Sequence, residues 1–396
     1  MQSIDVLIVG AGPAGLSTAI HLLKADPGWA DRLIVIEKAA HPRPKLCGGG
    51  VTRLGLDLLQ EMGFDLPLPL AQAQVDDVRL QYKQRTIHVR GRPQFVIFHR
   101  PELDAYLAGQ TRSLGAQLRE HETVEDLAFD DQGVTVTTSR GRFCARVVVG
   151  ADGAKGVIRR YVNGQPSATM KGRKRRVARL LEVLNPAQES APHFHERYAL
   201  FDFTPTAAGL QGYFWDFPAR VSGEAAFNRG VYDARITPSR PRASLPHLLQ
   251  DALMELSVQP EQVEIKGHPI HWFSPRSPLS ADRLVLVGDA AGAEPLFGEG
   301  IGPALAYGRI AAEAIAAAFA RQDFSFRDYR RRLLRSRLGR YLLIRWMTAR
   351  GAYHFSGHPA FMHALWTVGQ LTTRLWPKPR ELFDLPPASQ KCETFE

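Results

Sequence analysis

With 396 residues, 44% of them hydrophobic and 23% charged, the chain is long enough for two or more domains with a sizeable core, and its balance is globular rather than disordered or fibrous. Cys47, Cys144 and Cys392 are too few and too scattered for a disulfide framework or a zinc site, which points to a reducing compartment. A formal net charge of +10 invites nucleic acid, anionic lipid or a phosphorylated substrate, but the excess is local: six basic residues in Lys171–Arg179 and nine arginines in Arg327–Arg350.

The chain starts directly in a strand-like run without a charged-then-apolar leader, so the expectation is a cytoplasmic protein. Val6 to Val9 reads as a strand buried on both faces, stopping at Gly10-Ala11-Gly12-Pro13-Ala14-Gly15, where a helix begins. Arg32 to Ile36 then forms a second strand ending at Glu37. In this strand–turn–helix–strand setting Gly10 allows the tight turn, Gly12 lets backbone approach a pyrophosphate, and Gly15 lets the helix pack on the strand. Phosphates would sit on the helix N-terminus, and Glu37 is placed to accept from an adenosine ribose and to repel a 2′-phosphate. The stretch indicates a dinucleotide without deciding between FAD and NAD.

After Glu37-Lys38, prolines give way to Lys45-Leu46-Cys47-Gly48-Gly49-Gly50, bare backbone beside a thiol and a lysine. The candidate neighbour is the cofactor, and the plain alternative is a surface loop. Val78–Val89 and Gln94–Phe98 look like strands, a helix opens near Pro101 with Arg100 just ahead of it, where it could bind a phosphate or be a plain surface arginine, and Leu114–Glu122, Val124–Phe129, Val134–Thr138 and Arg142–Val149 read as further strands. The last of these runs into Gly150-Ala151-Asp152-Gly153.

From Lys171 to Phe273 the texture becomes that of an antiparallel sheet, with one helical pattern at Leu245–Leu256. In Gly212-Tyr213-Phe214-Trp215-Asp216-Phe217-Pro218, alternation puts Tyr213, Trp215 and Phe217 on one face, suited either to a plain core or to a flat, greasy ligand. Arg283–Val287 is another buried strand, ending at Gly288-Asp289 and leading through Gly298-Glu299-Gly300-Ile301 into a long Ala-rich helix. That helix, Ile301–Ala320, is interrupted by Arg309 and Glu313, so no membrane span is expected. Arg327–Arg350 has the pattern of a basic amphipathic helix that could rest on a membrane surface or simply pack on its own domain. His354 and His358 lack companions for a metal site.

The opening glycine motif with Glu37, Arg100, Ala151-Asp152-Gly153 and Gly288-Asp289 resemble, in this order, FAD-dependent enzymes of the p-hydroxybenzoate hydroxylase fold. Within them Lys45-x-Cys47-Gly48-Gly49-Gly50, Tyr213-x-Trp215-x-Phe217-Pro218 and Gly298-Glu299-Gly300-Ile301 look like the geranylgeranyl reductase branch, which saturates isoprenoid double bonds with reduced FAD, often at a membrane. The resemblance implies an α/β fold. A Rossmann-like FAD-binding domain with a parallel sheet is assembled from residues 1–75, 100–165 and 276–325. An antiparallel-sheet substrate domain comes from 76–99 and 166–275, and a C-terminal helical region from 326–396. By resemblance Gly10, Gly12, Pro13, Ala14, Gly15, Glu37 and Lys38 hold the ADP half, Arg100 the pyrophosphate, Asp152-Gly153 and Gly288-Asp289 the middle of the cofactor, and Gly298, Gly300 and Ile301 the flavin ring. Cys47, Gly48 and Gly49 would lie beside the ring, and Tyr213, Trp215 and Phe217 over a substrate tunnel.

The implied activity is FAD-dependent reduction of carbon–carbon double bonds in a hydrophobic or lipid substrate. Cys47 is the candidate proton donor, Lys45 its tuner, and NAD(P)H a candidate electron donor. The rival is a monooxygenase or halogenase using a flavin hydroperoxide. Tyr213 and Phe217 depart from the halogenase pattern W-x-W-x-I-P, which weakens that branch of it. No nucleic-acid partner is expected. A third class, a binding protein with basic surfaces, would lack yellow colour when purified.

Overall fold

The computed structural model describes residues 1–163 and 177–375. Most of the basic run at 171–179, together with Trp376 and Cys392, therefore lies outside the described residues.

Val6, Leu7, Ile8 and Val9 are at most 5% exposed, and burial of each such side chain stabilises the fold by about 1.5–3 kcal/mol. Their strand, Gln2–Val9, pairs in parallel with Leu33–Ile36 on one side and Gly141–Gly150 on the other, with Val9 opposite both Ile36 and Gly150. Leu284–Leu286 adds a further parallel strand, Leu286 opposite Gly150. Four strands thus end at one level, and each delivers the chain into a motif picked out in the sequence: Gly10, Glu37, Asp152 and Asp289. Ligands of open α/β sheets bind outside this carboxyl edge. Helices Pro13–Ala25 and Ile301–Arg321 pack side by side on the sheet, and Ser17 Oγ donates to Leu305 O at 2.7 Å. Gly308 permits this approach, since a Cβ there would meet Ser17 Cβ at 2.5 Å.

A second sheet runs in the order Lys266–His271, Val177–Pro186, Glu224–Asp233, Gly212–Val221, Tyr198–Asp202, Gln72–Tyr82, Arg85–Phe98 and Gly50–Thr52. It is antiparallel except where Tyr198–Asp202 runs parallel to Gln72–Tyr82. The expected strand Val78–Val89 is instead two arms of a hairpin, turning at Lys83 with φ +53°. Likewise Leu114–Glu122 is not one strand: helix Arg100–Ser113 ends there and only Gln117–Arg119 pairs. Between Val124–Phe129 and Val134–Thr138 the chain turns tightly, with Asp130 Oδ1 accepting from the Gln132 and Gly133 N–H groups.

Three C-terminal helices follow: Tyr329–Arg335, Arg337–Phe355 and Pro359–Leu375. The expected continuous basic helix over Arg327–Arg350 is broken at Ser336, whose extended backbone (ψ 168°) and side chain cap the next helix through the Gly339 N–H. The last helix lies across the hairpin, with Trp366 Nε1 donating to Leu80 O at 3.0 Å. No helix among the described residues is long and apolar enough to cross a membrane.

Candidate active site

A cavity of about 810 Å³ opens between the carboxyl edge of the parallel sheet and the inner face of the second sheet. Of the residues to which the resemblance gives a role at the cofactor or substrate, Gly15 alone does not line it. A Cβ at Gly15 would stand 2.0 Å from Gly10 O, so its glycine serves helix–strand packing. Gly12 differs: a Cβ there would have only the Arg43 guanidinium within reach, at 3.6 Å, so its backbone faces open space.

Two of the helix starts at this cavity, Gly12-Pro13 and Gly300-Ile301, lack both a side-chain cap and an acidic first turn. Their free N–H groups and positive dipole ends are an anion cradle at one end and a polar edge for a ring at the other. The Gly-rich turn is fixed by Glu37, whose Oε2 accepts from the Ala11 N–H at 2.9 Å. Arg43, which sequence reasoning passed over, bridges Glu37 Oε2 at 3.3 Å and Asp104 Oδ2 at 3.5 Å over this turn. Arg100 is buried at the start of its helix and makes a two-pronged pair with Asp104, both contacts 2.9 Å. Asp152 folds under its own loop, accepting from the Ile158 N–H at 2.9 Å, and burial pushes its carboxyl up to about 6. Asp289 lines the cavity with Gly288 at the end of its strand, and Lys38 and Gly153 lie on the same wall.

The thiol loop crosses to the second sheet. Gly49 has φ +76° and a Cβ there would meet Phe98 O at 2.2 Å, so no other residue fits. Gly48 lies against Phe217 and Trp215, where a Cβ would stand 3.2 Å from the Phe217 ring. The Cys47 thiol is free and half-buried, and its sulfur accepts from the Gly49 N–H at 3.4 Å. Lys45 Nζ lies 3.1 Å from Nε2 of His268. Burial lowers the Lys45 ammonium from its ordinary value, against the pull of Asp289. Burial, and then the charge of Lys45, lower His268 to about 4, so the imidazole is neutral and accepts.

Tyr213, Trp215 and Phe217 do share one face, and the face is both core and cavity wall. Phe201 packs among them, 5.0 Å from the Tyr213 ring and 4.9 Å from Phe217. Trp215 Nε1 donates to Asn228 Oδ1 at 2.7 Å, and the Tyr213 hydroxyl donates to Phe297 O.

Beneath the Gly298–Gly300 turn lies a feature the sequence did not announce. Glu294, fully buried, accepts from the Leu296 and Phe297 N–H groups at 2.5 and 2.8 Å. Glu299 accepts from Thr52 Oγ1 at 2.6 Å and from the Tyr341 hydroxyl. Burial raises both carboxyls, Glu294 to about 7. Tyr341, Arg345 and Tyr353 all come from helix Arg337–Phe355: Arg345 lies 5.3 Å from the Phe297 ring centroid and Tyr353 donates to Leu296 O at 2.5 Å. The C-terminal region thus buttresses the turn that lines the cavity without lining it itself.

An extended anion-and-ring cradle on the carboxyl edge of a parallel sheet, facing an apolar wall on a second sheet, defines an FAD-dependent oxidoreductase. The chain belongs to the FAD binding domain family, which it matches over residues 3–318, and it is similar to geranylgeranyl lipid reductases. It is 28% identical to digeranylgeranylglycerophospholipid reductase 1 of Methanothermobacter thermautotrophicus over 86% of this chain and 84% of that one. Among solved structures it resembles a geranylgeranyl bacteriochlorophyll reductase-like protein of Thermoplasma acidophilum (TM-score 0.72, 21% identity, 96% and 98% of the two chains). It also resembles p-nitrophenol 4-monooxygenase of Pseudomonas putida (TM-score 0.70, 18% identity, 94% of each chain). At these identities the solved structures attest the fold that the motif order implied. FAD is the cofactor, and the chain is an FAD-dependent oxidoreductase.

Proposed function

We propose that the substrate is an isoprenoid lipid or similar hydrophobic alkene, and that the aromatic face of Tyr213, Trp215 and Phe217 holds it against the flavin. The observation that carries this reading is the continuity of the wall with the cradle: one cavity is bounded by both. FAD, when bound and reduced, supplies the hydride. The chain's own residues supply the rest. An isolated double bond offers no polar handle, so alignment against a dry aromatic wall is the main contribution of the protein. In this reading Gly10, Gly12, Pro13, Ala14, Glu37 and Lys38 hold the ADP half, Arg100 and Asp152-Gly153 the pyrophosphate region, and Gly288-Asp289 the ribityl chain. Gly298, Gly300 and Ile301 offer backbone N–H groups to the ring.

Cys47, beside Gly48 and Gly49, is the proposed proton donor, and the Lys45 ammonium the charge that favours its thiolate after transfer. NAD(P)H is the proposed source of electrons. Contact with a membrane surface is assigned to the C-terminal helices, where Ile344, Met347, Leu365 and Val368 are 41–61% exposed among the arginines of the preceding segment. The relative named for a geranylgeranyl glycerophospholipid supports a lipid substrate. The reading is tested by incubating dithionite-reduced holoenzyme with a geranylgeranylated lipid under argon and weighing the product. Gain of hydrogen in pairs supports it, and unchanged lipid with recovered reduced flavin contradicts it.

A further inference from the structure

Two polar residues of the second sheet, Glu182 and Asn228, are 93–94% buried beside the thiol loop although neither belongs to a recognisable motif. Asn228 Nδ2 donates to the carbonyl of Cys47 at 3.2 Å and reaches Glu182 Oε1 at 3.4 Å, while its Oδ1 accepts from Trp215 Nε1 at 2.7 Å. One amide therefore ties the backbone of the thiol loop to the aromatic wall. Sheet register explains how. Trp215, Gly230 and Glu182 stand in one row across three neighbouring strands. Gly230 is the gap in that row, because a Cβ there would stand 2.4 Å from the Trp215 ring. The indole leans into this space and meets Asn228 rather than standing off from it.

We propose that Asn228 and Glu182 are positioning residues of the reduction: they brace the peptide of Cys47 against Trp215, and so set thiol and substrate wall at a fixed separation. Stability alone does not account for the pair. Among the described residues no group meets Glu182 Oε2 in hydrogen-bond geometry although the atom is buried, an arrangement that costs folding free energy and that a glutamine or an apolar residue would relieve. Burial raises the Glu182 carboxyl to about 7, against the Asn228 amide, the Cys47 backbone and the charges of Arg100 and Lys45. Lys266 stands opposite on the next strand. The brace therefore changes charge near neutrality. It is neutral below that point and carries a carboxylate above it, directed at the peptide that bears the thiol.

The inference rests on the reductase reading for its consequence but not for its test. Iodoacetamide alkylation of Cys47 in the oxidised holoenzyme, followed on the Cys47 peptide by mass spectrometry, needs no substrate. Asn228→Asp, which loses the donor to the Cys47 carbonyl, is expected to speed alkylation by about fivefold or more, and Trp215→Phe, which loses the Nε1 donor and part of the ring but keeps the Asn228 amide on the Cys47 carbonyl, by less. Glu182→Gln is expected to keep or raise thermal stability and to remove an inflection near neutral pH from the alkylation profile. Anaerobic reoxidation by a geranylgeranylated lipid should slow in Asn228→Asp and Glu182→Gln through kcat, with KM little changed. Altered Cys47 reactivity in an enzyme that reduces no alkene leaves the brace standing and overturns the reductase reading. Alkylation within about twofold of wild type in all three variants, with the inflection kept in Glu182→Gln, overturns the brace.

Discussion

Lys45 Nζ and His268 Nε2 meet at 3.1 Å across the cavity, joining the loop after the second parallel strand to an outer strand of the other sheet. A buried ammonium has here a neutral acceptor instead of a carboxylate. Its positive charge is therefore not cancelled locally and is left to act on the anionic groups of the site, Asp289 foremost. Lys45→Met should lower turnover by about tenfold or more, the scale of a lost charge-assisted contact, with flavin content and thermal stability retained. Steady-state kinetics and flavin-to-protein ratios check this.

His268 also makes a pH prediction. Its folded pKa, about 4, lies below the ordinary 6.5, so between those values the unfolded chain binds the proton and the folded chain does not. The contribution to stability is complete above pH 6.5 and is lost as pH falls toward 4. His268→Gln should remove that component, so wild type minus variant, measured by urea unfolding, should decline across this interval.

Glu294 runs the other way. Its folded pKa of about 7 exceeds the ordinary 4.5, so the folded protein holds the proton longer and loses stability as pH rises from 4.5 to 7. Glu294→Gln should therefore gain on wild type with rising pH, by up to roughly 3 kcal/mol above neutrality, and show no gain in acid. Unfolding curves at the two extremes decide it.

Tyr341→Phe withdraws a hydroxyl from Glu299 in the Gly298–Gly300 turn, which lines the cavity. Leaving a buried carboxyl short of a partner costs about 1–3 kcal/mol, and the turn it supports should retain FAD less firmly. Faster flavin loss on dilution, with the secondary structure unchanged by circular dichroism, is the expected result.

Gly49→Ala should be the most damaging glycine change in the thiol loop. Positive φ and a 2.2 Å approach to Phe98 O act together, and backbone strain alone is worth about 1–3 kcal/mol. A lower melting temperature together with lost activity is expected, whereas Gly153→Ala, with open space around it, should suffer from φ alone.

The nucleotide half of the site was legible because its signals are local. Gly10 to Glu37, Ala151-Asp152-Gly153 and Gly288-Asp289 each carry strand, turn and glycine in one short stretch, and strand register then brings their ends to one level. Alternation likewise put Tyr213, Trp215 and Phe217 on one face. Asn228, Glu182 and His268 were not legible, being single polar residues on strands whose partners lie tens to hundreds of positions away. Their meaning depends on register, which a lone sequence does not specify. Arg43 was hidden among prolines that read as loop. The basic segment failed differently: its apolar spacing runs on through Ser336, but a serine with a favourable partner three residues ahead can end one helix and cap another. The C-terminal helices looked chemically silent because Tyr341, Arg345 and Tyr353 gain their roles from Glu294 and Glu299, about fifty residues upstream.

The central claim is that reduced flavin in this site passes its electrons to an alkene and not to oxygen. The most direct measurement mixes anaerobically reduced holoenzyme with a geranylgeranylated lipid in a stopped-flow instrument and follows the return of oxidised-flavin absorption. Reoxidation that is complete without oxygen, and depends on lipid concentration, is the predicted result. Flavin that stays reduced until oxygen is admitted, and then yields a hydroxylated product, would contradict it.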